Sequence, residues 1–236
     1  MNILLLNKKQ IVGNTATICG RHLQHIQSIQ GLSIGDTLRV GEINGMMGSG
    51  LITKLDNQSA SLELTLNTTP PPALPLTLIL ALPRPKMLRR VIQTVASMGI
   101  KNIHLINSAR VEKSFWQSPF LMPESLQEQM ILGLEQGVDT VPPQIYQHKL
   151  FKPFVEDKLT EIVADSKALV AHPTATETCP INVNEATTLI IGPEGGFIPY
   201  EIEKLEAQGV KAVTIGERIL RVEAAVPALI SRLYPG

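Results

Sequence analysis

An α/β fold with a small β-rich N-terminal part is what this sequence predicts, and three observations carry the prediction. Up to about residue 67, short apolar segments recur at strand spacing, broken by Gly, Asn and Asp. After about residue 75, apolar runs alternate with stretches of helical period. Between the two parts, "TTPPPALP" (68–75) is a polar, proline-rich connector that suits neither a ladder nor a helix. We therefore expect one domain over 1–68 and a second over 75–236.

In the first part, "DTLRVGEI", "GSGLITKLD" and "SASLELTL" read as strands. The last of these puts Leu62, Leu64 and Leu66 on one side, as half-buried antiparallel strands require, so a small β-barrel or sandwich is expected. "GMMGSG" (45–50) orders its glycines as GxxGxG, which fails the dinucleotide fingerprint and reads as a hairpin turn. In the second part "LTLILALP" is a buried strand. "PKMLRRVIQTVASMG" is a helix that opens on Pro85, turns Met87, Val91, Val95 and Met98 to one side and ends at Gly99. "NIHLIN" is a strand, "PESLQEQMILGLEQG" a helix, "QIYQHK" a strand and "KPFVEDKLTEIV" a helix. Strands "KALVAH" and "TTLIIG", helix "PYEIEKLEAQG", strand "KAVTIG" and a helix from about Val222 to Leu233 complete the chain. Such alternation implies a mainly parallel sheet with helices on both faces, and ligands at the carboxyl ends of its strands.

Composition narrows the function. The 236 residues are 44% hydrophobic and 18% charged, as in an ordinary globular protein. No apolar run approaches a membrane span, and "MNILLLNKKQ" places its charge after its apolar residues, opposite to a signal peptide. A cytoplasmic protein without a membrane partner is expected. Cys19 and Cys179 have no companion at metal-ligand or disulfide-framework spacing, so no metal is expected. Net charge is zero, yet the segment 84–113 holds seven basic residues (Arg84, Lys86, Arg89, Arg90, Lys101, Arg110 and Lys113) against one acid, Glu112. One face is therefore able to meet an anion.

Three strand ends are candidates for chemistry: "ALVAHPTA" (168–175), "LIIGPEGGF" (189–197) and "TIGERILRVEAA" (214–225). Gly192, Gly195 and Gly196 let a backbone approach a ligand closely, although a tight strand-to-helix turn would use the same residues. Glu201 and Glu203 follow Pro199 at the start of a helix and make a phosphate there less welcome, and no GxxxxGK pattern occurs. His172 reads as a structural histidine as well as a base or ligand. Arg218, Arg221 and Glu223 read either as a solvated helix start or as an anion site in which Glu223 orients Arg221.

"LIIGPEGGF" followed after a short helix by "TIGERILRVEAA" resembles the signature of the SPOUT-class RNA methyltransferases. It is most similar to the branch that methylates N3 of a uridine in 16S ribosomal RNA of the small subunit. The preceding "LVAHP" and the N-terminal "HIQSIQGLSIGD" (25–36) extend the resemblance over nearly the whole chain. It implies a PUA-like β-barrel for RNA, a domain whose last part threads a trefoil knot, and a homodimer. It also implies S-adenosylmethionine as cofactor, in a pocket formed by Ala171, His172 and Pro173, by Ile191, Gly192, Pro193, Glu194, Gly195 and Gly196, and by Ile215, Gly216, Ile219, Leu220 and Arg221. Arg221 and Glu223 become the catalytic candidates. Arg84, Lys86, Arg89, Arg90, Arg110 and Lys113 become the RNA contacts.

The chain departs from the family pattern at Thr94, Ser97, Asp139, Gly31, Val222 and Ala224, each change removing a charge or hydroxyl. Two other readings therefore stand beside the methyltransferase. One is a catalytically divergent paralogue that binds cofactor and RNA with a changed RNA target, and the other an α/β enzyme for an unrelated nucleotide.

Overall fold

The computed structural model describes residues 1–235, with the side chains at 29 and 30 left out. Gly236, the end of the expected second domain, lies outside the described residues. The chain divides into two units, one of residues 1–72 with 131–142 and one of 73–130 with 143–236.

The first unit is a six-stranded sheet. Its strands are β1 (Leu4–Leu6), β2 (Ile11–Val12), β3 (Thr15–Ile18), β4 (Thr37–Glu42), β5 (Met47–Leu55) and β6 (Ala60–Thr68). They lie in the order β1-β4-β5-β6-β3-β2. Strands β4, β5, β6, β3 and β2 pair antiparallel, whereas β1 joins β4 in parallel. Alternation along β6 buries Leu62 and Leu64 with Ile18, Val40 and Ile52. The helix α1 (Gly20–Gln24) and a π-helical turn (His25–Gln30) follow β3 and bury Leu23 and Ile26. The β4–β5 turn lies over 43–46, with Asn44 at φ 62°, and not over 45–50 as "GMMGSG" suggested. Gly48 and Gly50 are strand residues instead. A Cβ at Gly48 would stand 1.8 Å from the Thr65 carbonyl oxygen, so glycine is there for close strand contact rather than for a turn.

Segment 131–142 belongs to this unit through buried polar contacts. Glu135, 1% exposed, receives Arg21 Nη1 at 2.6 Å and His22 Nε2 at 2.7 Å. Its carbonyl oxygen accepts the amides of Asn2 and Ile3. Asp139 turns its carboxylate onto the amides of Thr140 and Val141, and the Thr140 hydroxyl donates to the Gly45 carbonyl.

The second unit is built on a wholly parallel sheet. Its strands are β7 (Leu76–Ala81), β8 (Asn102–Ile106), β9 (Gln144–His148), β10 (Lys167–Ala171), β11 (Thr187–Ile191) and β12 (Lys211–Val213), in the order β12-β10-β11-β7-β8-β9. The helix α2 (Pro85–Ser97) opens on a proline, which needs no amide partner there, and Gly99 at φ 81° closes it. It buries Leu88, Val91, Ile92 and Val95, each contributing roughly 1.5–3 kcal/mol. The helix α3 (Pro123–Gly137) runs from this unit into the first at residue 131. The helical stretch α4 (Phe151–Phe154) and α5 (Thr160–Val163) is joined by a π-helical turn, Val155–Leu159. The helix α6 (Pro199–Glu206) precedes β12, and α7 (Val222–Leu233) ends the fold against α2.

Candidate functional site

Register brings the three candidate loops together. Ala171 pairs with Ile191 on one side and with Val213 on the other, so β10, β11 and β12 stop at one level and release their loops side by side. A cavity opens between the loops. Ala171, His172, Pro173, Ile191 to Gly196, Ile215, Gly216, Ile219 and Leu220 all line it. Arg221 does not. It is exposed and takes the N-cap position of α7, while Arg218 lines the cavity in its place. Glu223, in the first turn of α7, is also absent from the lining.

Val213, Thr214, Val222, Ala225 and Leu229 complete the wall and were not expected there. The last three follow helical spacing along α7, a signal that could have found them.

The loops are shaped by their own hydrogen bonds. Gly196 N–H donates to Pro193 O at 2.8 Å, closing a turn in which Gly196 adopts φ 71°. The Thr214 hydroxyl donates to Gly216 O at 3.0 Å, and Gly216 stands at φ 140°. A Cβ at either glycine would meet nothing within 4 Å, so conformation, and not crowding, selects glycine. His172 N–H donates to Val213 O, which continues the β10–β12 ladder one residue into the loop.

Two carboxylates change meaning. Glu194 accepts the Arg84 backbone N–H at 3.0 Å, which gives it a structural partner. Glu201 is 2% exposed and accepts the Ala109 N–H at 2.7 Å and the Ile198 N–H at 3.0 Å. It is an internal strut joining the loop after β8 to the start of α6. Glu203 instead lines a second cleft with Glu177, Glu206, Lys211 and His172.

The basic residues Arg84, Lys86, Arg89, Arg90, Arg110 and Lys113 are all exposed. Arg84 precedes α2, and Lys86, Arg89 and Arg90 lie in its first half, so these four follow the carboxyl end of β7. Arg110 and Lys113 follow that of β8. Arg89 lies over the Phe120 ring at 5.0 Å, and Arg110 donates to the Gly195 carbonyl. Among the described residues no three His, Cys, Asp or Glu side chains converge as a metal site needs, and no helix is long and apolar enough to cross a membrane.

Comparison with known proteins places this geometry. A family model described as an RNA methyltransferase domain matches residues 70–234. The ribosomal RNA small subunit methyltransferase E of Treponema pallidum is 30% identical over 97% of this chain and 88% of its own length. A crystal structure of the Neisseria gonorrhoeae ribosomal RNA small subunit methyltransferase E bound to S-adenosylmethionine superposes with a TM-score of 0.72 at 21% identity. It covers 98% of this chain and 95% of the other. A Legionella pneumophila structure solved with S-adenosylmethionine gives 0.75 at 20% identity, over the same shares. The chain belongs to the ribosomal RNA small subunit methyltransferase E family of RNA methyltransferases.

Proposed function

We propose that the protein methylates N3 of a uridine in 16S ribosomal RNA of the small subunit, with S-adenosylmethionine as methyl donor. The observation that carries this reading is the level ending of β10, β11 and β12 around one cavity. Its lining fits the cofactor. Ile191, Val213, Ile215 and Leu229 supply apolar wall, the glycine turns supply backbone polar groups, and no lysine stands there as a phosphate clamp. When bound, the sulfonium supplies an activated methyl group.

The chain's own residues have two tasks. The first is orientation, because a near-attack geometry contributes much of such a barrier. Ala171, His172 and Pro173, Ile191 to Gly196, and Ile215, Gly216, Ile219 and Leu220 would hold the cofactor. Exposed Arg84, Lys86, Arg89, Arg90, Arg110 and Lys113 would position RNA phosphates. The second task is electrostatic. Uracil N3 gives its proton to solvent water before it attacks, and a guanidinium stabilises the resulting anion. Arg221, oriented by Glu223, is our candidate, and Arg218 in the cavity lining competes for the role. Replacing each arginine by Ala separates them, because the one that stabilises the anion lowers kcat with little change in cofactor affinity.

The first unit would serve as a PUA-like RNA-binding domain, with the boundary in 68–75. A trefoil knot is supported by the path of 172–186. Thr178 bridges Thr214, and the amides of Asn182 and Val183 donate to Arg232 and Leu233, so this segment lies against both ends of 214–233. A homodimer is supported by Ile219 and Leu220, 80% and 41% exposed at the cavity rim. The decisive experiment offers small subunits or ribosomal RNA lacking the modification, with labelled cofactor. Label at N3 of one uridine is expected. Cofactor binding without methyl transfer would overturn the reading.

A further inference from the structure

Arg110 stands in the loop after β8 and belongs by sequence to the basic RNA-facing segment, yet its side chain is already engaged. Nη1 donates to the Gly195 carbonyl. The aliphatic stem lies on the same residue, so that a Cβ at Gly195 would come within 3.0 Å of Arg110 Cδ and 3.3 Å of Arg110 Cβ. Glycine at 195 is therefore what lets the arginine lie flat against the turn. One residue earlier, Glu194 is fastened to the Arg84 backbone N–H. Pro193 to Gly196 also line the cavity. The turn thus lines the cavity, while Arg110, which does not line it, holds the turn's backbone.

We infer that Arg110 is a positioning residue for the cofactor wall, holding the Gly195–Gly196 backbone in place before RNA arrives. The inference rests on the cavity being the cofactor site proposed above. A guanidinium has five N–H donors, and those not directed at Gly195 stay available to a phosphate. A phosphate contact at Arg110 would then stiffen the wall, and by linkage RNA and cofactor would each raise the other's affinity by one common factor.

The test is calorimetric titration of the full-length protein with S-adenosylhomocysteine in the absence of RNA. Arg110→Ala should weaken binding roughly tenfold, the scale of one charge-assisted hydrogen bond. Arg110→Lys, which keeps a charged donor but not the planar fork, should recover part of the loss. Arg84→Ala should stay within about twofold, because Arg84 contributes a backbone N–H that the substitution keeps. In turnover, Arg110→Ala should raise KM for S-adenosylmethionine more than it lowers kcat, which a general loss of structure would not do. Arg110→Ala protein that binds the cofactor product as tightly as wild type, while losing RNA affinity, would overturn the inference. Wild-type protein that does not bind it at all would instead overturn the cofactor reading, and this inference with it.

Discussion

The two sides of the parallel sheet are furnished differently. Where β10, β11 and β12 stop, the chain continues into glycine turns, and Gly196 and Gly216 have nothing within 4 Å of where a side chain would begin. At the β8–β9 edge, rings from within the strands and from α4 pack against one another. His104 stacks on Tyr146 at 4.7 Å and on His148 at 5.2 Å, His148 meets the Phe154 ring at 4.5 Å, and the two histidines share a 3.0 Å hydrogen bond. The sheet thus carries an open cavity beyond the ends of three strands and, within the span of β8 and β9, a plug of packed rings. Glu201 works between these edges, since its carboxylate ties the loop after β8 to the loop after β11.

The largest expected effect tests the plug. Phe154 is 2% exposed, and Phe154→Ala should lower unfolding free energy by about 3–5 kcal/mol in denaturant titration. Cofactor affinity of the folded fraction should stay within about threefold, as for independent sites. A loss of affinity matching the loss of stability would mean that the two edges are one cooperative element.

Next comes the strut. Glu201→Ala removes the acceptor of two amides and should cost about 1–3 kcal/mol, and Glu201→Gln less, since one acceptor oxygen survives. Unlike Phe154→Ala, both should weaken cofactor binding, because the β11 loop loses an anchor. A smaller effect on stability is expected inside the cavity. Gly196→Ala meets no neighbour but forces an L side chain to φ 71°, which costs about 1–2 kcal/mol. Its effect should appear mainly as roughly tenfold weaker cofactor binding, as the turn relaxes away from the ligand.

Legibility in the sequence follows the range of the forces involved. The last helix was expected over Val222 to Leu233 and is found there, because apolar period and flanking residues are local signals. Strands β1 to β3 went unread, since segments of two to four residues show no period. The attachment of 131–142 to the first unit was also hidden. It rests on Glu135 meeting Arg21 and His22 across 114 and 113 residues, which no local pattern encodes. In the cavity, glycine turns and strand ends were legible as loops. The exchange of Arg221 for Arg218 in its lining was not, because a loop without regular period gives no orientation to its side chains.

The smallest effect is the acid sensitivity of the plug. Burial, with His148 beside it, lowers the pKa of His104 to about 4, and burial followed by the Lys158 charge lowers that of His148. Both rings are thus held neutral in the fold, while the unfolded chain takes up protons near 6.5. Stability should be level above about pH 6.5 and fall as pH drops from there towards 4, by no more than about 1 kcal/mol, because part-exposed rings are screened by water. Carboxylates act lower on the scale. Burial pushes Glu135 up, but hydrogen bonds from His22 and Arg21 outweigh it and hold the group below its ordinary 4.5, so its contribution is lost only beneath that pH. Melting temperature followed from pH 7 to 5 therefore isolates the histidines. His104→Phe keeps a stacking ring without a titrating group and should flatten the slope in that window. An unchanged slope would place the acid sensitivity elsewhere and leave the plug a matter of packing alone.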